Sequence, residues 1–146
     1  NNLACFITNK GDAVDLMSLP LIVPATGNLK PYYSDPLKRF DFANAVFSDL
    51  TDELIATAYL DDRIRIYWKD KAFEADYKFL KSKLGDREIG FGSHTTDETK
   101  WIISSNSDVE PGETYLFDRK TKKLTLQHKI RAKLPRAGLC PMMPVR

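Results

Sequence analysis

Residues 88–128 hold four short apolar runs and three polar breaks, and this spacing limits the fold more than any other feature of the sequence. The runs cover residues 88–94, 100–106, 114–118 and 124–128. Thr95-Thr96-Asp97-Glu98, Pro111-Gly112 and the polar stretch 119–123 separate them. Runs of this length, rich in β-branched and aromatic residues and bounded by turn residues, read as antiparallel strands.

The same punctuation extends upstream. Residues 3–9 read as a strand, Asn9-Lys10-Gly11-Asp12 as a turn, and residues 13–19 as the partner strand, with Val14 and Leu16 apolar. Residues 20–44 contain Pro20, Pro24, Pro31 and Pro36 and read as one long connection. Tyr32, Tyr33, Phe40 and Phe42 supply aromatics to pin it to a core. Residues 45–50, 54–59 and 63–68 read as three further strands. In the third, Ile64, Ile66 and Trp68 alternate with Arg63, Arg65 and Tyr67, the period of a half-buried strand. The period then changes. Phe73, Tyr77, Leu80 and Leu84 recur at helical spacing, with Asp70 placed to cap the helix and Gly85 to end it in the left-handed conformation.

An internal repeat ties these pieces together. Thr51-Asp52-Glu53 recurs as Thr96-Asp97-Glu98, an offset of 45. A β-branched strand follows each copy, then an aromatic strand ending in Asp (Ile66-Tyr67-Trp68-Lys69-Asp70; Tyr115-Leu116-Phe117-Asp118). Tandem four-stranded units of this length are the content of propeller blades. The expected fold is therefore mainly β, with about two and a half four-stranded antiparallel blades and one helix inserted between blades. Its divisions are residues 1–44 as a partial blade with a Pro-rich connection, 45–86 as a blade with the helix, 87–133 as the last complete blade, and 134–146 as a linker.

Composition supports a folded chain: 42% of the residues are hydrophobic and 29% charged. No apolar run approaches the ~18 residues of a helical membrane span, so no membrane partner is expected. The N-terminus, Asn1-Asn2-Leu3-Ala4-Cys5, starts as if in mid-strand, so the chain reads as a piece of a longer protein. Charge is uneven. Residues 119–146 hold nine basic side chains and no acidic one, which leaves a net of −7 in the first 118 residues. The basic residues alternate with Leu124, Leu126, Ile130 and Leu134, the pattern of a solvated strand face, and no nucleic acid is expected to bind. Cys5 and Cys140 stand at opposite ends of the sequence. They read as two separate buried thiols, since free Cys behaves as a small hydrophobe, with a single bridge between them the alternative in an oxidising compartment, and the compartment stays open.

The groups that carry chemistry are sparse. Gly90-Phe91-Gly92-Ser93-His94 has its serine misplaced for a nucleophile elbow and lies on a strand, where small residues mark converging backbones. His94 and His128 are the only histidines, and neither has Cys or carboxylate partners at zinc-ligand spacing. Asp61-Asp62 fills a hairpin turn. Asp108, Glu110 and Glu113 crowd another turn, but the loop pattern of a calcium site is missing. Trp68 and Trp101 sit at apolar strand positions and read as core. The expectation is no catalytic residue, no metal ligand and no cofactor within these residues.

From about Glu53 onward, ordered motifs carry a resemblance. They are Arg65-Ile66-Tyr67-Trp68; Phe73-Glu74-Ala75-Asp76-Tyr77; Ser104-Ser105-Asn106-Ser107-Asp108 with Pro111-Gly112; and Tyr115-Leu116-Phe117-Asp118-Arg119-Lys120-Thr121 with Lys123-Leu124. The last is Leu139-Cys140-Pro141-Met142-Met143-Pro144-Val145. In this order they resemble the end of the β-propeller domain of the prolyl oligopeptidase family of serine peptidases, closest to its acylaminoacyl-peptidase and dipeptidyl-aminopeptidase-like members. The resemblance implies a parent with an α/β-hydrolase domain beyond Arg146 that carries a Ser-Asp-His triad. The propeller would gate entry of short peptides. No triad residue of the family maps onto this chain. A partial propeller leaves strand edges open, so self-association through them is expected. The competing reading is a stand-alone β-repeat module that binds a protein partner.

Overall fold

A computed structural model describes residues 4–9 and 15–143, which form ten strands, one α-helix and a short 3-10 turn at Arg136–Gly138. The chain divides into two compact units. One comprises Asn1–Phe47 and Leu54–Asp70, the other Ser48–Glu53 and Lys71–Arg146.

The first unit holds two antiparallel meanders. Strands β1 (Ala4–Cys5), β2 (Leu19–Val23) and β3 (Asn28–Tyr33) form one sheet in the order β1-β2-β3. Strands β4 (Phe42–Phe47), β5 (Leu54–Leu60) and β6 (Ile64–Trp68) form the other in the order β4-β5-β6. Leu19, Phe42 and Tyr59 are the buried centre, with Met17, Tyr33, Ala45 and Tyr67 packed around them. Tyr59 meets Phe42 and Tyr67 edge to face, both at 5.5 Å. Its hydroxyl donates to the Ser34 carbonyl at 2.8 Å, which satisfies the one polar atom it carries inward.

The second unit is a four-stranded meander with a helix on it. Strands β7 (Glu88–His94), β8 (Lys100–Asn106), β9 (Glu113–Asp118) and β10 (Lys123–Lys129) lie in the order β10-β9-β8-β7. Helix α1 (Lys71–Leu84) starts directly after Asp70. It ends at Gly85, whose φ of +73° is the left-handed stop expected from the sequence. Phe73 and Leu80 are buried, while Tyr77 and Leu84 are half-buried. Phe73 packs edge-on against Trp101 at 5.4 Å, and Phe79 stacks on Phe117 at 5.9 Å.

The mainly β reading stands, and the strands downstream of Leu54 lie close to their expected places. Three expectations need correction. First, residues 20–44 are not one connection: they contain most of β2, all of β3 and the start of β4. The β2–β3 register shifts between the Leu19–Tyr33 and Leu21–Lys30 pairs, which places Pro20 and Pro31 inside a bulge. A residue without an N–H fits where the ladder is already broken. Second, the partner of the first strand runs further along the sequence than 13–19: Ala4 faces Ile22 and Cys5 faces Leu21, and within the expected stretch a bridge joins Thr8 to Ser18. Residues 10–14, which carry most of the expected turn, lie outside the described residues. Third, the repeat runs at 46, not 45. The buried side chains Ile55, Thr57 and Tyr59 on β5 match Trp101, Ile103 and Ser105 on β8. At that offset Asp52 (φ +56°) faces Glu98 (φ +51°), two left-handed residues at corresponding points of two hairpins. The shared tripeptide is one residue out of step with the backbone it seemed to mark.

Among the described residues, β7–β10 is the sheet with four strands, and the other two have three each. After β6 the chain enters α1.

Candidate functional site

The chemistry-bearing side chains of the second unit gather around buried carboxylates. Glu98 is 5% exposed and sits on the connection between β7 and β8. Its carboxylate accepts from Ser48 Oγ at 2.9 and 3.0 Å and from the Asp49 N–H at 2.8 Å. Its carbonyl accepts from Trp101 Nε1 at 2.9 Å and from Arg119 at 3.2 Å. His94 lies beside this group, stacked on Trp101 at 4.1 Å with Nε2 3.3 Å from Asp49 Oδ2.

Serine, histidine and acid therefore meet in one place, but not as a nucleophilic relay. A nucleophile needs its hydroxyl hydrogen-bonded to the base. The Ser48 hydroxyl donates to Glu98 and accepts from the Leu50 and Thr51 N–H groups at 3.2 and 3.1 Å, while His94 turns to Asp49 and to the Thr95 carbonyl. The arrangement fixes the conformation of the Ser48–Glu53 turn. It leaves His94 away from the Ser48 hydroxyl, whose partner is the Glu98 carboxylate instead.

A second cluster anchors the helix. Asp76, 1% exposed, receives Arg119 Nε at 2.6 Å on one oxygen and Lys122 Nζ on the other. The same guanidinium lies over the Phe73 ring at 3.7 Å. Both cations come from the β9–β10 turn, where Lys122 takes a left-handed φ of +55°.

The acid-rich turn 108–113 forms a third. Glu113, 4% exposed, is met by Arg87, by Lys129 Nζ at 2.8 Å and by the Tyr115 hydroxyl at 2.5 Å. Burial works against its ionisation, but Lys129, Tyr115 and Arg87 outweigh it and hold the carboxyl at about 2. Burial and the same hydrogen bond push the Tyr115 phenol up to about 12. Glu110 pairs with Arg136 at 2.9 Å, and Asp108 Oδ2 accepts the Met142 N–H at 2.5 Å. These three acids are engaged by the chain's own cations and main chain. Among the described residues no group of three or more His, Cys, Asp or Glu is arranged to hold a metal ion.

The first unit has its own buried acid. Asp35 accepts the N–H groups of Leu37, Arg39 and Phe40 at 3.2, 3.0 and 3.1 Å, and Arg65 lies 3.4 Å away. Burial raises its pKa, but the three N–H donors and Arg65 lower it further, so its carboxyl lies below the ordinary range. Asp61 holds Arg65 at 2.9 Å, which accounts for one member of the Asp61-Asp62 pair.

Other sequence candidates are dispersed. His128 is exposed on β10, and Trp101 is buried while Trp68 is only half-buried. Gly90 and Gly92 lie against β8: a Cβ at Gly90 would sit 2.6 Å from Ser104 Oγ, and one at Gly92 would sit 3.3 Å from the Ile102 carbonyl. The two cysteines are free and exposed, which corrects the expectation of buried thiols. Cys5 is on a two-residue edge strand and Cys140 follows the 3-10 turn, so neither has a layer of structure to cover it.

Residue spacing alone missed Asp35, Asp76 and Glu98, while Glu113 was marked only as one of the acids crowding its turn. Asp76 was the legible one, since it falls between Phe73 and Leu80 on the apolar face of the helix. No family model matches the chain, and no curated protein or solved structure is found similar to it.

Proposed function

We propose that this chain is a non-catalytic part of the gating β-propeller of a prolyl oligopeptidase-family serine peptidase, whose parent hydrolyses short peptides. The observation that carries the reading is the run of antiparallel meanders in chain order, each strand paired with its sequence neighbour and the last sheet four-stranded. Consecutive sheets of this kind are what blades are made of. The ordered motifs from Arg65-Ile66-Tyr67-Trp68 to the Pro141-Met142-Met143-Pro144 segment add the family to the architecture. In this reading the buried carboxylates are fasteners for turns and helix. The peptide-cleaving groups belong to a hydrolase domain of the same parent chain.

Translation of the source gene on both sides of these residues tests the reading. It expects further blades upstream and, downstream, a G-x-S-x-G followed by Asp and His. The full-length protein should then be labelled by a serine-directed fluorophosphonate probe. A stop codon soon after Arg146, or a full-length protein that the probe leaves unlabelled, would overturn it.

A further inference from the structure

Strand β10 ends the sheet order of the second unit, and no described strand pairs with its outer edge. Residues 125–129 are all exposed. Among the described residues, the chain beyond, as far as Met143, does not return along that edge. Ile130 N–H donates to the Gly112 carbonyl at 2.8 Å, Arg136 holds Glu110, and the Met142 N–H reaches Asp108. These bonds draw the tail to the β8–β9 connection instead. An open edge presents a row of main-chain donors and acceptors to any extended chain that fits it.

Charge selects among the occupants. Residues 119–133 include seven basic side chains and no acidic one. Arg119 and Lys122 are turned to Asp76 and Lys129 to Glu113, whereas Lys120, Lys123, Arg131 and Lys133 are exposed on either side of the strand's middle. A second copy of β10 is a poor match. Antiparallel pairing centred on Leu126 would set Lys123 opposite Lys129, and like charges directly opposed destabilise a pair. Single-stranded nucleic acid would meet the charge but no stacking platform, because β10 carries no Phe, Tyr or Trp. An acidic strand meets both the ladder and the field.

We propose that the outer edge of β10 takes an extended acidic peptide segment of a partner protein as a fifth strand. Main-chain hydrogen bonds run along residues 123–126 and resume at His128 and Lys129, past the bulge between Leu126 and His128, with partner carboxylates facing Lys123 on the strand and Arg131 in the turn that follows it. The seven residues of β10, Lys123–Lys129, span about 23 Å, the length of a seven-residue extended peptide. The proposal goes beyond the peptidase reading and does not rest on it.

The test uses a fluorescein-labelled heptapeptide of alternating glutamate and valine, with binding to the 146-residue chain read by fluorescence anisotropy. Its companion is the same peptide N-methylated at alternate residues, which keeps the charge but cannot complete a ladder. The expected result is saturable binding of the first and loss of binding for the second. Binding by the Lys123→Glu/Arg131→Glu variant should weaken about tenfold, since both positions are exposed and carry the complementary charge. Hydrogen exchange should slow in β10 and stay unchanged in β7. Three results would overturn the proposal: no binding of the unmodified peptide, equal binding of the N-methylated one, or displacement of the peptide by an equal concentration of a thymidine oligonucleotide. Exchange that slows at β7 instead would also do so.

Discussion

Asp76 shows how one side chain can fix the place of a helix. Its two oxygens are divided between Arg119 and Lys122, 43 and 46 residues away, and it lies where an apolar residue would have packed. Asp76→Asn leaves both cations without their counter-charge. It should lower stability by about 2–3 kcal/mol, less than for a fully buried pair because Lys122 is half exposed. The midpoint of urea unfolding measures this, and an unchanged midpoint would mean that the cations re-pair with water at no cost. Glu113 makes the matching statement in pH. Its folded value of about 2 lies below the ordinary 4.5, so its contribution is complete above about 4.5 and is lost as pH falls towards 2. Glu113→Gln should flatten the stability–pH curve across that window. The residual slope belongs to Asp97, also held at about 2 by Thr95 and Thr99, and to the lowered carboxyls of Asp35, Glu110 and Asp118. Ser105 is the opposite case: its hydroxyl is buried with no hydrogen-bond partner among the described residues. Ser105→Ala should therefore raise stability by up to about 1 kcal/mol, and a loss in calorimetry would show that the hydroxyl is satisfied in solution.

At the scale of elements, the two periods in the sequence explain most of what was legible. Alternation located β5 through β10 to within a few residues, and the 73-77-80-84 spacing located α1. Proline misled the reading of residues 20–44. Pro20 and Pro31 suggest a strand-free connection only if every strand position needs its N–H. A bulge removes that need, and nothing in the local sequence announces a bulge. The repeat failed for a related reason. A shared Thr-Asp-Glu is chemistry, whereas register is set by which residues face inward, and that alternation runs at 46. Acid–cation partners separated by more than 40 residues were beyond the reach of local spacing. Helix α1 gives a direct check on packing. Leu80 has no exposed surface, so Leu80→Ala should cost about 3 kcal/mol in chemical unfolding, while Lys78→Ala on the exposed face should cost only a few tenths.

For the whole molecule, the order of the sheets predicts an order of stability. Strands β8 and β9 are each paired on both sides and carry Ile103 and Phe117, which have no exposed surface. Their amides should exchange slowest, and those of the two-residue β1 fastest, when followed by hydrogen exchange. Function was less legible than fold for a physical reason: strands announce themselves by period, whereas binding and catalysis reside in side chains that the fold brings together from distant parts of the sequence. One consequence follows from the membership of Ser48–Glu53 in the second unit although the strands it joins belong to the first. The second unit is not a contiguous stretch of sequence. A protein severed at Asp70 would keep Glu98 but lose the Ser48 hydroxyl and the Asp49 N–H that satisfy it. Severance there would uncover an acid that the intact chain keeps hidden. The second unit thus cannot be excised by a single cut, and any dissection of this protein must carry the Ser48–Glu53 turn along with the residues after Asp70.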